Sequence, residues 1–210
     1  MTISYPLSYP AGVPNPVRVR FTPHAAVSVS TSPFTGQAQV QQHQGQWWQV
    51  EMEFSNLSRE QADALNAFRL RLNGRYGTFL FGDPAASLPR GAATGVPTVR
   101  GSGQNGNSLL THGWTPNVSG ILLAGDYIQI GSGQTTRLYK LTADASSDEI
   151  GNATLEVWPK LRLAPAPHAD ASPILTRNTV GVFRMSSNSM EWSTLAPARY
   201  GITLAALEAL

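Results

Sequence analysis

Between Trp47 and Pro84 the chain reads WWQVEMEFSNLSREQADALNAFRLRLNGRYGTFLFGDP, and no other stretch restricts the fold as much. Trp48, Val50, Met52 and Phe54 alternate with Gln49, Glu51 and Glu53. A period of two puts the large apolar groups on one face of a strand and the polar groups on the other, which describes a half-buried sheet strand. Ser58 with Gln61 three residues later is a capping-box pattern, in which the hydroxyl accepts from a free amide of the first helical turn and the Gln side chain reaches back. Leu65, Phe68 and Leu72, with Ala62 and Ala64 alongside, follow at helical spacing and leave Arg59, Asp63, Arg69 and Arg71 for the other face. Asn73-Gly74 tolerates the left-handed conformation of a helix end, and Arg69 and Arg71 suit the negative end of the macrodipole, so the helix should stop near Asn73. Thr78 to Phe81 then returns the chain to the sheet as a short apolar strand between Gly77 and Gly82.

The remainder supplies strands. A length of 210 residues buries a core without help from disulfides, and the absence of cysteine excludes thiol nucleophiles and Cys-ligated zinc. Only 13% of residues are charged, while Gly, Pro, Ser and Thr are plentiful, as in β-rich chains with many turns. The expected fold is mainly β: a sandwich or barrel core with one α-helix at about residues 58–73, and a small inserted barrel or sandwich. A net charge of +2 with scattered arginines does not make the basic stripe that nucleic acid requires, so no nucleic-acid partner is expected. The first sixteen residues have neither a basic nor an apolar signal region, and no apolar run approaches the length of a membrane helix. A soluble chain without membrane insertion is the expectation.

Pro6, Pro10, Pro14 and Pro16 make the N-terminus an extended arm, because proline withholds ladder donors. Such an arm either drapes over the surface or straps onto a neighbouring subunit; in the second case Tyr5, Pro6, Leu7, Tyr9 and Pro10 are the candidate interface residues. Val17, Val19 and Phe21 give a first strand and Ala25 to Ser30 a second. Gly36 to Gln44, polar and Gln-rich, reads as an edge strand or hairpin. Beyond Pro84, Ala, Gly, Pro and Ser dominate up to Gly106, and short alternating strands follow at Ile121–Leu123, Asp126–Ile130, Thr136–Leu141 and Ala153–Trp158. Val180–Met185, Ser189–Trp192 and Tyr200–Leu204 close the chain as strands of the earlier kind. Residues 1–86 and 173–210 are therefore expected to form the core domain, with residues 87–172 inserted as an outer β domain.

Each candidate for chemistry meets a plainer reading. Gly101 to Gly106 matches GxGxxG, with Asp126 where a ribose-binding acid would lie, but Gly113, Pro116, Gly120 and Gly125 deny it the helix that would hold a pyrophosphate. His24, His43, His112 and His168 lie far apart without a ligand at metal spacing, and no GxSxG is present. Glu51 and Glu53 share a strand face, as any alternating pair does. Among Trp47, Trp48, Trp114, Trp158 and Trp192, Trp114 in THGWTPN is surrounded by turn residues and is the candidate for stacking on a sugar. No catalytic residue, cofactor or metal is expected.

The Trp47–Pro84 stretch resembles the N-terminal domain of tailed-phage distal tail proteins and related minor tail proteins, in which a Trp-containing strand precedes a helix, a short loop and a strand ending in GDP. The downstream GW, LLAGDYIQIG, RLYKL and WPKLR segments look like the inserted domain of the same group. The resemblance implies a virion structural protein without enzyme activity, made in the host cytoplasm. It would form a ring, usually a hexamer, that joins the tail tube to the tip or baseplate hub, with the inserted domain facing outward. That domain is galectin-like or oligonucleotide/oligosaccharide-fold-like in such proteins, and the sequence does not choose. The alternative is a carbohydrate-binding β-sandwich module that attaches to host surface glycans. Stoichiometry separates the two, because a ring protein oligomerises and a glycan module acts as a monomer.

Overall fold

The computed structural model describes residues 3–43, 45–162, 168–195 and 199–210. In chain order the elements are β1 (Arg18–His24), β2 (Val27–Thr31), β3 (Ala38–Gln42), β4 (Trp47–Leu57), α1 (Arg59–Leu72), β5 (Phe79–Phe81), β6 (Gly95–Val99), β7 (Gly106–Trp114), β8 (Tyr127–Ile130), β9 (Arg137–Leu141), β10 (Ala153–Leu161), β11 (Ile174–Leu175), β12 (Gly181–Met185), β13 (Ser193–Leu195) and β14 (Arg199–Glu208). The protein is mainly β, with 43% of residues in strands and a single α-helix among the described residues.

The first sheet has the order β1-β4-β14-β12-β5, with β13 on the outer end of β14, and every pairing in it is antiparallel. β4 lies inside the sheet between β1 and β14, and its alternation puts Trp48, Val50, Met52 and Phe54 on one buried face. Helix α1 covers that face. Its start is the capping box read from the sequence, with Gln61 N–H donating to Ser58 Oγ and Ser58 N–H to Gln61 Oε1, and Asn73 ends it in the left-handed conformation at φ 52°. Phe68 meets Phe79 edge to face at 5.6 Å. Arg69 departs from expectation: it is buried beside Leu65 and Leu72, on the stripe rather than opposite it.

The second sheet, β11-β8-β9-β10-β7-β6, is a nearly closed barrel. Its ends approach through the antiparallel bridge between Thr98 and Pro173, with Val99 N–H donating to Ser172 O and Ala171 N–H to Val99 O. Leu109, Ile128, Ile130, Leu155 and Val157 are among the residues of its own buried core. The barrel extends past residue 172, because Ile174 pairs with Ile130. Ser189–Trp192, expected as a strand, is irregular, and the pairing strand begins at Ser193. The two sheets meet at a seam: Tyr127 and Leu138 of the barrel belong to the core built on β4, Trp48 and Trp158 contact edge to face at 4.3 Å, and Trp48 Nε1–H donates to Leu138 O.

The N-terminal arm is not free. Leu7 is buried and lies parallel to Phe79, donating to Thr78 O and accepting from Leu80 N–H, so it covers the outer edge of β5. Tyr5 donates to Arg71 O, and Tyr9 packs on Phe81 while its hydroxyl donates to Pro14 O. Burial pushes the Tyr9 phenol up to about 12. Tyr5, Pro6, Leu7, Tyr9 and Pro10, the candidate interface residues, are half-buried or buried within the subunit itself, with Tyr5, Leu7 and Tyr9 packed on its core. The reason is edge chemistry: a three-residue β5 leaves donors and acceptors exposed, and the nearest extended segment satisfies them. Phe68→Ala should cost roughly 3 to 5 kcal/mol and Leu7→Ala roughly 2 to 4 kcal/mol, by lost transfer energy plus cavity. Urea unfolding of the intact chain measures both, and a Leu7→Ala loss near zero would return the arm to the surface.

Candidate functional site

The least supported element of this fold is the hairpin β2–β3, which forms a two-stranded sheet of its own. Its register places Val29 opposite Val40, Val27 opposite Gln42 and Thr31 opposite Ala38. Directly opposed residues share a face, so one side presents Val27, Val29, Ala38 and Val40, while the other presents Ser28, Ser30, Gln39 and Gln41. Every residue of both strands is exposed: Val29 keeps 61% of its surface, Val40 66% and Phe34 at the tip 94%. From Ala25 to Gln46 there is no Asp, Glu, Lys or Arg. The tip is closed locally, with Ser32 N–H donating to Gln37 O, Ser32 Oγ accepting from Phe34 and Thr35, and Gly36 at φ 69°.

Its base is clamped. His24 stacks flat on Trp47 at 3.9 Å and shares a hydrogen bond with Gln49 Oε1, while His43 Nε2 pairs with Ser28 Oγ. Lys160 Nζ donates to Gln42 Oε1, Lys160 N–H to Gln46 Oε1, and the Arg162 guanidinium to Gln46 O. The hairpin therefore projects from a fixed root with one apolar face uncovered.

Trp114 does not offer a sugar platform. It is 3% exposed, at the inner end of β7, and its Nε1–H donates to Thr111 Oγ1. The misleading signal was Gly113, which reads as a turn. It lies within β7 at φ 85°, where the pairing with β6 shifts between Gly95 and Thr98, so it serves an irregularity in the strand. Glu51 and Glu53 stand opposite Arg20 and Arg18 in the register, and Arg20 lies 3.8 Å from Glu51, an arrangement of cross-strand charge pairs. The GxGxxG glycines lead into β7 rather than a helix, and the Asp126 carboxylate accepts from the backbone N–H groups of Arg90, Gly91 and Leu123. The four histidines remain apart, and no metal-holding group of three or more His, Asp or Glu occurs among the described residues.

Sequence reasoning missed the polar cluster sealed into the seam. Glu208 accepts from the backbone N–H of Trp48, and burial raises its pKa against the opposing pull of that hydrogen bond, Arg162 and Arg137. His168 accepts at Nε2 from Arg162 N–H and pairs there with the Tyr139 hydroxyl, so its proton belongs on Nδ1. Burial, with Arg137 nearby, lowers the imidazole to about 4. These residues are far apart in sequence, and only the packing of barrel on sheet assembles them. No helix of the described residues is long and apolar enough to cross a membrane.

Compared with known proteins, the chain matches no family model and no curated relative.

The seam gives a signed pH prediction. A histidine at about 4 in the fold and 6.5 in the open chain binds fewer protons folded than unfolded, so its stabilising effect is full above 6.5 and is lost as pH falls toward 4. Glu208, raised by burial, works the other way and weakens the fold as pH rises above its ordinary value of 4.5. Thermal unfolding from pH 4 to 7 should show His168→Gln losing the acid-side decline that the parent chain has. Parallel curves for parent and variant would show that His168 is solvated.

Proposed function

We propose that the chain is a structural subunit of a closed homo-oligomeric ring, of the kind that distal tail proteins form at the end of a siphophage tail, and that it acts in the virion by joining the tail tube to the tip hub. The observation that carries this reading is the hairpin: an uncharged, fully exposed two-stranded sheet with one apolar face. A two-stranded hairpin alone is marginal in water, so this element gains its order where a second surface covers Val27, Val29 and Val40. The occupant is a second copy. A rooted arm reaching from each subunit onto the next is a head-to-tail contact, and when the rotation closes, such contacts make a ring with no free end. The absence of charge between Ala25 and Gln46 removes like-charge repulsion between identical copies.

Further support comes from the resemblance of Trp47–Pro84 to the core of that group and from a mainly β architecture in which a barrel is set between β5 and β12 of the core sheet. A stable interface of this kind needs about 1,000 Å² or more, within reach of a projecting hairpin with flanking surface. Ring number and the tail-tube and hub partners are read from the resemblance alone.

Val29→Asp with Val40→Lys, which face each other as a cross-strand pair of opposite charge, should leave the thermal transition of the isolated subunit nearly unchanged, because both positions are exposed, and should abolish the oligomer in sedimentation velocity. The reading fails if the doubly substituted chain assembles like the parent, or if the parent stays monomeric with its tail neighbours present.

A further inference from the structure

A hollow of about 430 Å³ opens between the C-terminal half of α1 and the β12–β13–β14 corner, within the range of small-molecule sites, about 300 to 1,000 Å³. At its floor lies Arg69, only 2% exposed. Its Nη1 donates to Asn66 Oδ1 at 3.2 Å and to Glu191 O at 3.0 Å. Nε is buried and has no partner among the described residues, which likewise supply no acceptor to Nη2 and place no carboxylate within ion-pair distance of the guanidinium. A buried cation with neither counter-charge nor full hydrogen bonding is costly. The vacant edge is informative, because Nε–H and the adjoining Nη2–H point the same way and together fit the two oxygens of one carboxylate. One guanidinium balances one negative charge, which favours a carboxylate over a doubly charged phosphate.

The walls narrow the class further. Ser187, Ser189 and Thr203 line the hollow with hydroxyls, and Trp192, also lining it, is 54% exposed, the most exposed tryptophan of the chain. An exposed indole beside hydroxyls offers an apolar plate and short polar groups, which suit the ring of a sugar better than an acidic peptide. Glu191 binds Arg69 through its backbone carbonyl and is itself exposed, so its carboxylate does not neutralise the buried charge. Trp192 belongs to the irregular stretch between β12 and β13.

We infer that this hollow binds a carboxylated sugar such as a uronate, with the Arg69 guanidinium taking the carboxylate side-on and Trp192 supporting the sugar ring. The site shares no residue with Trp114 or with the hairpin, and it does not depend on ring formation. The full chain is titrated with glucuronate, glucose, acetate and a short oligoglutamate while indole fluorescence and the Arg69 ¹⁵Nε resonance are followed. Saturable binding of glucuronate that shifts the Nε resonance, with no binding of glucose, is expected; Trp192→Ala, an exposed substitution, and Arg69→Lys, which keeps the charge but not the fork, should each weaken it by about tenfold or more. Because the ligand comparison uses the parent chain, it stands even where Arg69→Lys fails to fold. Equal binding of glucose, binding of glucuronate no tighter than of acetate or oligoglutamate, no effect of Trp192→Ala, or no saturable binding at all would overturn the assignment.

Discussion

Trp48 is the side chain on which the two halves of the molecule depend. Its backbone N–H reaches the buried Glu208 carboxylate at the end of β14, and its indole N–H reaches Leu138 O in the barrel. Its ring meets Phe21, Tyr127 and Trp158 at centroid distances of 5.9, 6.4 and 4.3 Å. One residue thus joins β1, β4, β14, β8, β9 and β10. Aromatic groups do this well because they bury a large area while an N–H at the rim satisfies a carbonyl that the seam would otherwise orphan. The consequence is a barrel that is more than a bud on the core sheet. Each half closes part of the other's apolar surface, and the titratable groups buried between them, Glu208, Arg137 and His168, are tied to the same packing.

Much of this was legible in the sequence wherever period and caps agreed. The alternation from Trp48 to Phe54, the Ser58–Gln61 box and the left-handed Asn73 are local devices, and local devices can be read from neighbours in the chain. The mainly β class followed from turn-rich composition for the same reason. What could not be read is what distant segments do to one another. The proline arm looked unable to order itself, yet an unpaired edge at β5 gave it a partner. Trp114 looked exposed because Gly113 is the same residue in a turn and in a strand irregularity. Arg69 looked solvent-facing because it is charged, although Leu65, Arg69 and Leu72 lie at the four- and three-residue spacing of one helical face. Spacing, taken without regard to charge, would have found it. The Glu208–His168 cluster left no local signal at all.

The hairpin stands apart from this economy of burial. In the core the fold covers its apolar edges and faces: Leu7 covers an edge, α1 covers a sheet face, and Trp158 packs on Trp48. Among the described strands, β2–β3 keeps a valine face in water while its root is held by Trp47, Gln46 and Lys160. A fixed root with an uncovered apolar face is the pattern of an element whose packing partner lies outside the subunit. We propose that this partner is the next copy in a ring.

Hydrogen–deuterium exchange of the hairpin amides, compared between dilute subunit and concentrated assembly, tests this claim most directly. In the subunit, the amides of Val27–Thr31 and Ala38–Gln42 should exchange rapidly, since nothing but the partner strand protects them. In the assembly they should become protected together, while β4 amides are slow in both. Hairpin exchange that stays equally fast when the chain assembles would contradict the account, because it would place the subunit contact elsewhere.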